Sequence, residues 1–121
     1  MAVTTAVLGS LLVDTVHVNT DVASTVVYAT TSSCTLYQVD IDNSSNTAAV
    51  YLKIYDGTGV SVGTTSPHYI LKCPGSQRIS YTIPEGQPLS TALGYVCVLS
   101  NGVGGETGPT SNVTVRFLFD D

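Results

Sequence analysis

The stretch from residue 34 to residue 56 limits the possible folds more than any other part of the chain. Two runs of alternating apolar and polar residues flank the polar loop NSSNT at 43–47. The apolar positions are Tyr37, Val39 and Ile41 in the first run and Val50, Leu52 and Ile54 in the second. A repeat of two is that of a strand with one buried face. Two such strands joined by a short Asn- and Ser-rich loop predict an antiparallel β-hairpin.

Similar signals divide the following residues into further strands. Residues 69–73 and 77–83 flank the turn dipeptide Pro74-Gly75 and predict a second hairpin, which Pro84-Glu85-Gly86 ends. The nearly continuous apolar run LGYVCVL at 93–99 predicts a central strand that is covered on both faces. A last strand at 112–119 has four alternating apolar residues: Val113, Val115, Phe117 and Phe119.

These six or seven short strands, separated by regular turn signals and without a convincing amphipathic helix, predict an all-β fold. The expected architecture is an antiparallel β-sandwich. A jelly-roll-like and an immunoglobulin-like topology both remain open, although the chain has no Trp, which disfavours a true immunoglobulin domain.

Residues 1–31 differ in composition from the rest of the chain. They are rich in Thr, Val and Ala and contain no Lys, Arg or Pro, and Val16 and Val18 alternate with His17. Since β-branched residues favour extended backbone, we expect residues 1–31 to form an extended N-terminal arm or the first strands. Residues 32–121 are expected to form the β-sandwich domain.

Charge excludes two classes of partner. The 121 residues carry a net charge of −5, and only four residues are Lys or Arg. Nucleic-acid binding normally needs a basic patch, and contact with an anionic membrane needs a polybasic segment. The N-terminal stretch lacks the positive charge of a signal peptide and is too interrupted by polar residues to span a bilayer. We therefore expect neither nucleic acid nor a membrane as partner.

The three cysteines, Cys34, Cys73 and Cys97, are an odd number without metal-binding spacing. Each lies in an apolar or alternating run, which favours buried thiols. One disulfide with one free cysteine is the alternative.

No catalytic motif is present, and we expect no catalytic residue. His17 and His68 lie in different segments and are interpreted as surface or turn residues, and neither a nucleophile elbow nor an HExxH motif occurs. Gly102, Gly104 and Gly105 are not followed by the GK[ST] of a phosphate loop.

Two other groups of residues invite a binding interpretation. Asp40 and Asp42 share a strand face and Asp56 ends the next strand, so three carboxylates could hold Ca²⁺. Solvated carboxylates are the favoured interpretation, and Lys53 could offset the charge of Asp40 or Asp42 across the hairpin. Four tyrosines could stack on a carbohydrate, although half-buried strand positions are the more usual role. They are Tyr51, Tyr55, Tyr69 and Tyr95. We expect no metal and no cofactor.

From Cys34 to its end the chain resembles small β-proteins of tailed bacteriophage virions. The resemblance is carried by TLYQVDIDNSSNTAAVYLKIYD, VGTTSPHYILKCPGSQRISYTIPEG and TALGYVCVLSNG. It implies a non-enzymatic structural protein, in the first place a capsid decoration (cement) protein, and alternatively a tail, neck or fibre component. A carbohydrate-binding module is a further alternative.

The resemblance also implies partners and a location. Decoration proteins bind as oligomers, with a trimer favoured, over joints between major capsid subunits, and an N-terminal arm commonly makes the contact. The protein would then be assembled in the host cytoplasm and reside on the capsid surface of the virion.

Overall fold

The computed structural model describes residues 3–7 and 13–121. Residues 1–2 and 8–12, which belong to the predicted N-terminal arm, lie outside this part of the chain.

The described residues form nine β-strands and no helix, in two antiparallel sheets that pack face to face. The strands are β1 (Val3–Val7), β2 (Thr15–Asn19), β3 (Val27–Thr30), β4 (Cys34–Asp42), β5 (Val50–Tyr55), β6 (Tyr69–Cys73), β7 (Arg78–Leu89), β8 (Leu93–Val98) and β9 (Thr114–Asp120). The larger sheet has the order β1-β2-β9-β4-β7, and the smaller sheet has the order β3-β8-β5-β6. The predicted all-β sandwich is confirmed.

The connections between strands define the topology. Only β1–β2 and β5–β6 are neighbours both in sequence and in a sheet, and every other pair of consecutive strands crosses from one sheet to the other. Strands β2 to β9 thus have the connectivity of an eight-stranded jelly roll, and β1 adds a strand at the edge. This decides between the two topologies that the sequence leaves open. The described residues of 1–31 supply β1, β2 and β3, which are strands of the sandwich.

Both predicted hairpins are wrong. β4 lies in the larger sheet and β5 in the smaller one, and β6 and β7 are likewise in different sheets. The polar loop after β4 makes this crossing possible, because Asn43 is fully buried and its Nδ2 donates to the carbonyl oxygens of Ala48 and Pro74 at 2.9 and 3.1 Å. A period of two identifies a buried face but does not identify the neighbouring strand.

Tyr37 does not share the core face with Val39 and Ile41. The pairing of β4 with both neighbours shifts between Leu36 and Gln38, which is a β-bulge. An extra residue reverses the alternation, so Leu36 joins the core and Tyr37 is only partly buried.

The predicted end of the strand at Pro84-Glu85-Gly86 is also wrong, because β7 continues to Leu89. β7 is the outermost strand of its sheet, a position that tolerates Pro because the N–H groups on the open side have no strand to pair with. Gly86 adopts a φ of 78°, and the pairing skips from Gln87 to Thr82 opposite the bulge of β4.

The core between the sheets contains the residues that the alternation predicts. Those of β5, of β9 and of the residue just before β9 are almost completely buried: Val50, Leu52, Ile54, Val113, Val115, Phe117 and Phe119. β8 is buried along its whole length, as predicted. Its outer face is covered, because Val60 and Val62 of the β5–β6 loop pack on a second cluster formed by Tyr55, Val96 and Val98.

Candidate functional site

The two histidines occupy different environments. His68 is exposed, as predicted, and its Nδ1 accepts the main-chain N–H of Asp56 at 3.1 Å. His17 is only 1% exposed and lies between the sheets, so its predicted position at the surface or in a turn is wrong.

The three carboxylates proposed for Ca²⁺ do not converge. Asp40 and Asp42 belong to the larger sheet, whereas Asp56 follows β5 of the smaller sheet. Asp42 accepts hydrogen bonds from the N–H and hydroxyl of Ser44 and lies 3.6 Å from Arg78. Among residues 3–7 and 13–121, no group of three or more His, Cys, Asp and Glu side chains is placed to hold a metal ion.

Lys53 does not offset an aspartate across a hairpin. It is completely buried on the outer side of β5 and donates to the carbonyl oxygens of Gly102 and Gly105 at 2.5 and 3.3 Å. Burial lowers the pKa of its ammonium group. Lys53 therefore holds the glycine-rich loop through the main-chain carbonyls of the loop. A phosphate site would need a row of main-chain N–H donors instead.

The four tyrosines do not form one platform. Tyr95 lies between the sheets in contact with Phe117, with ring centroids 4.8 Å apart. Tyr51 and Tyr55 belong to the cluster on the outer face of the smaller sheet, and Tyr69 lies at an edge, 36% exposed. A sugar ring could not contact all four side chains at once.

The cysteines are three free thiols, and all are buried, as predicted. Burial raises the pKa of Cys34 to about 11 and that of Cys97 to about 12. Because the thiolate is the reactive form, these side chains act as small apolar core residues.

A buried polar group around His17 is the most organised set of side chains that the sequence did not predict. His17 Nε2 and Tyr95 Oη are 2.7 Å apart, and His17 Nδ1 and Thr5 Oγ1 are also 2.7 Å apart. Asn19 Nδ2 donates to the same Tyr95 oxygen at 3.0 Å. The group joins the edge strand β1 to β2 and, across the core, to β8.

The amide of Asn19 supports one assignment of the protons in this group. Its Oδ1 accepts the main-chain N–H of Asp21 at 3.0 Å, which directs Nδ2 to Tyr95. We assign the tyrosine proton to the bond with His17 Nε2, the acceptor that the described residues place beside Tyr95 Oη. The neutral ring then carries its hydrogen on Nδ1 and donates it to Thr5 Oγ1.

The alternation in β2 is a sequence signal for this group, but hydrophobicity would place the wrong face of the strand in the core. The polar residues Thr15, His17 and Asn19 are buried, and Val16 and Val18 are only half-buried. Alternation alone indicates two faces, and the choice of the inner face depends on Tyr95 supplying hydrogen bonds from another strand.

β1, which contacts this group through Thr5, forms an open edge of the larger sheet. It pairs with β2 on one side, and the described residues place no strand on its other side. Residues 3–6 are exposed, Val3 to 40%, and the sequence VTTAV has no charged residue. An uncharged, exposed edge is a template for pairing with another chain.

A second feature is an apolar cleft of about 290 Å³ where the edge strands β6 and β7 leave the sandwich open. Its lining residues come from both sheets: Leu36, Val39, Ile54, Tyr69, Leu71, Tyr81, Thr82, Ile83 and Gln87. Tyr81 closes one end by donating its hydroxyl proton to the carbonyl of Lys72 at 2.5 Å.

The structure shows no membrane-spanning helix among the residues that it describes. No family model, no curated protein and no solved structure matches the chain.

Proposed function

We propose that this chain is an oligomeric structural protein of a virus particle, a capsid decoration protein that joins neighbouring major capsid subunits. The observation that carries the proposal is the open edge of β1, which is uncharged and exposed over residues 3–6. A partner's extended segment can add to this edge as a further strand.

Strand addition suits such a role energetically. Main-chain hydrogen bonds supply the affinity, and side chains at alternate positions supply specificity. Natural edge strands that must stay unpaired carry charges, Pro or bulges, and β1 has none of these. Several weak contacts of an oligomer can multiply the affinity of one contact by roughly 10²–10⁴.

The resemblance of the sequence to small virion β-proteins supports the same function. Jelly rolls occur in viral capsid proteins and also in lectins and cupins, so the topology alone is compatible with the carbohydrate-binding alternative. The four tyrosines considered for sugar stacking lie on different faces and do not supply a common surface for that alternative.

The test is cosedimentation of the purified protein with undecorated capsids. We expect the natural protein to sediment with capsids and a double variant, Thr4→Lys with Ala6→Lys, to stay in the supernatant. The matched control is Thr58→Lys, which adds a positive charge at an exposed loop position away from β1.

The outcomes separate the alternatives. Equal binding by the double variant would show that β1 is not the contact. A natural protein that binds purified tails and not capsids would be a tail component, and one that binds neither would contradict the virion proposal.

A further inference from the structure

We propose that the buried group of His17, Tyr95, Asn19 and Thr5 is an acid-sensitive fastening of β1, which frees this edge strand when His17 becomes protonated. The fastening is a property of the folded chain. Its consequence, acid-dependent docking, rests on the proposed function, because β1 is the proposed docking edge.

Protonation breaks the hydrogen-bond pattern of the group. In the neutral state three hydrogen bonds join the group: Nδ1–H bonds to Thr5, Tyr95 O–H bonds to Nε2, and Asn19 bonds to Tyr95. A proton on Nε2 would face Tyr95 Oη, which already accepts from Asn19. The tyrosine proton would then lose its acceptor, and a buried donor without a partner is costly.

The described side chains in contact with the His17 ring are all uncharged. The contacts of His17 are the neutral hydroxyls of Thr5 on β1 and Tyr95 on β8, and the phenyl ring of Phe117 on β9, 6.2 Å between centroids. Burial keeps Tyr95 neutral by raising its pKa to about 12. Asp21 is a charged residue connected to this network: its main-chain N–H donates to Asn19, and its carboxylate contributes to the raised pKa of Tyr95.

The direction of the effect follows from burial. Burial lowers the pKa of His17 from its usual 6.5, so the fastened state binds fewer protons than a state in which the ring is hydrated. The fastened state is therefore fully stable above pH 6.5 and loses stability as the pH falls below it.

The path to water passes through β1. Thr5 lies against Nδ1 and is itself exposed, whereas the other sides of the ring contact β8 and β9. Detachment of one edge strand hydrates the imidazolium and leaves the remaining eight strands paired. The fastening thus couples the protonation of one side chain to the availability and order of one sheet edge.

The test on the free, full-length protein is amide hydrogen exchange at pH 7.5 and 5.0, corrected for the intrinsic rates. We expect protection of residues 3–7 to fall by about tenfold per pH unit below 6.5 until the folded pKa is reached. Protection of β9 should fall much less. In the nitrogen NMR spectrum of His17 at pH 7.5, Nδ1 should be the protonated nitrogen.

Variants separate this fastening from general acid sensitivity. His17→Gln, which cannot be protonated, should abolish the acid-dependent loss at β1, and Thr5→Val should lower the protection of β1 already at pH 7.5. His68→Gln is the matched control, because His68 is exposed, and it should behave as the natural protein. If His17→Gln does not fold, the Thr5→Val and NMR results decide.

Hydrogen-exchange protection of residues 3–7 that does not change with pH would overturn the fastening. A His17 ring protonated on Nε2 at pH 7.5 would also overturn it. Capsid cosedimentation at the two pH values tests its consequence separately. Acid release of β1 without capsid binding at either pH would contradict the proposed function and leave the fastening intact.

Discussion

At the scale of single residues, polar side chains inside or beside the sandwich hold the loops to the sheets. Asn46 donates to Asn43 and to the carbonyl of Ser111, and its own Oδ1 accepts the N–H of Ser111. Lys53 holds the glycine-rich loop in the same way. Because most of these contacts involve main-chain groups, local sequence patterns contain little information about them.

Asp56 is the clearest case for a pH measurement. Burial raises the pKa of its carboxyl, but hydrogen bonds from the N–H groups of Ser90, Thr91 and Ala92 together lower it by more. The pKa of Asp56 therefore lies below the usual 3.8. Its contribution to stability is therefore complete above pH 3.8 and is lost as the pH falls through the folded pKa.

We expect Asp56→Asn to lower the free energy of unfolding at pH 7 by about 1 kcal/mol, because neutral hydrogen bonds replace charge-assisted ones. Urea unfolding at pH 7 and at pH 3 measures the effect, and the deficit should shrink at the lower pH. Glu85→Gln, at an exposed position, is the control. A deficit that grows on acidification would contradict the assigned role.

At the scale of elements, the paired irregularity of β4 and β7 shapes one half of the larger sheet. The bulge at Leu36–Gln38 faces the turn of β7 around Gly86. A Cβ on Gly86 would lie 2.4 Å from Cγ2 of Thr35 and 2.9 Å from the ring of Tyr37. Glycine is required there both by the positive φ and by the close approach of β4.

Gly86→Ala should therefore reduce stability by about 1–3 kcal/mol, the usual cost of a side chain at positive φ, with a further loss from the contact with Thr35. Gly57→Ala is a suitable comparison, since a Cβ there meets nothing within 4 Å. Thermal unfolding of both variants gives the difference. Equal melting temperatures would mean that β7 does not approach β4 as described.

At the scale of the whole molecule, the core is the part that the sequence predicts best. Leu52→Ala should cost roughly 2–5 kcal/mol, because Leu52 is completely buried between the sheets. Val103→Ala, at a position that is 40% exposed, should change the urea midpoint little. An unchanged midpoint for Leu52→Ala would contradict the register of β5.

The thiols give a second measurement on the intact molecule. Since all three cysteines are free and buried, a reductant has no disulfide to break and the unfolded chain carries no cross-link. We expect the melting temperature to change by no more than about a degree or two on reduction. A large decrease would show a disulfide.

The distance along the chain between contacting residues explains which features the sequence predicts and which it does not. Alternation reports burial on one face, which is local, so the core positions of β5, β8 and β9 follow from it. Strand partners depend on connections between the sheets, and the bulge in β4 depends on its neighbours, so alternation alone gives the wrong partner for β4 and β6 and the wrong face for Tyr37. The His17 group joins β1 and β2 to β8, which is distant from both in sequence, so alternation alone does not identify it.

The position of β9 has a consequence for how the protein is made. β9 is the last strand in sequence, yet it lies between β2 and β4 and contributes Val115, Phe117 and Phe119 to the core. Until the ribosome has released these residues, β1 and β2 have no link to the rest of the larger sheet. The larger sheet can therefore be completed only after β9 has been synthesised, and its closure depends on contacts between residues that are far apart in the sequence.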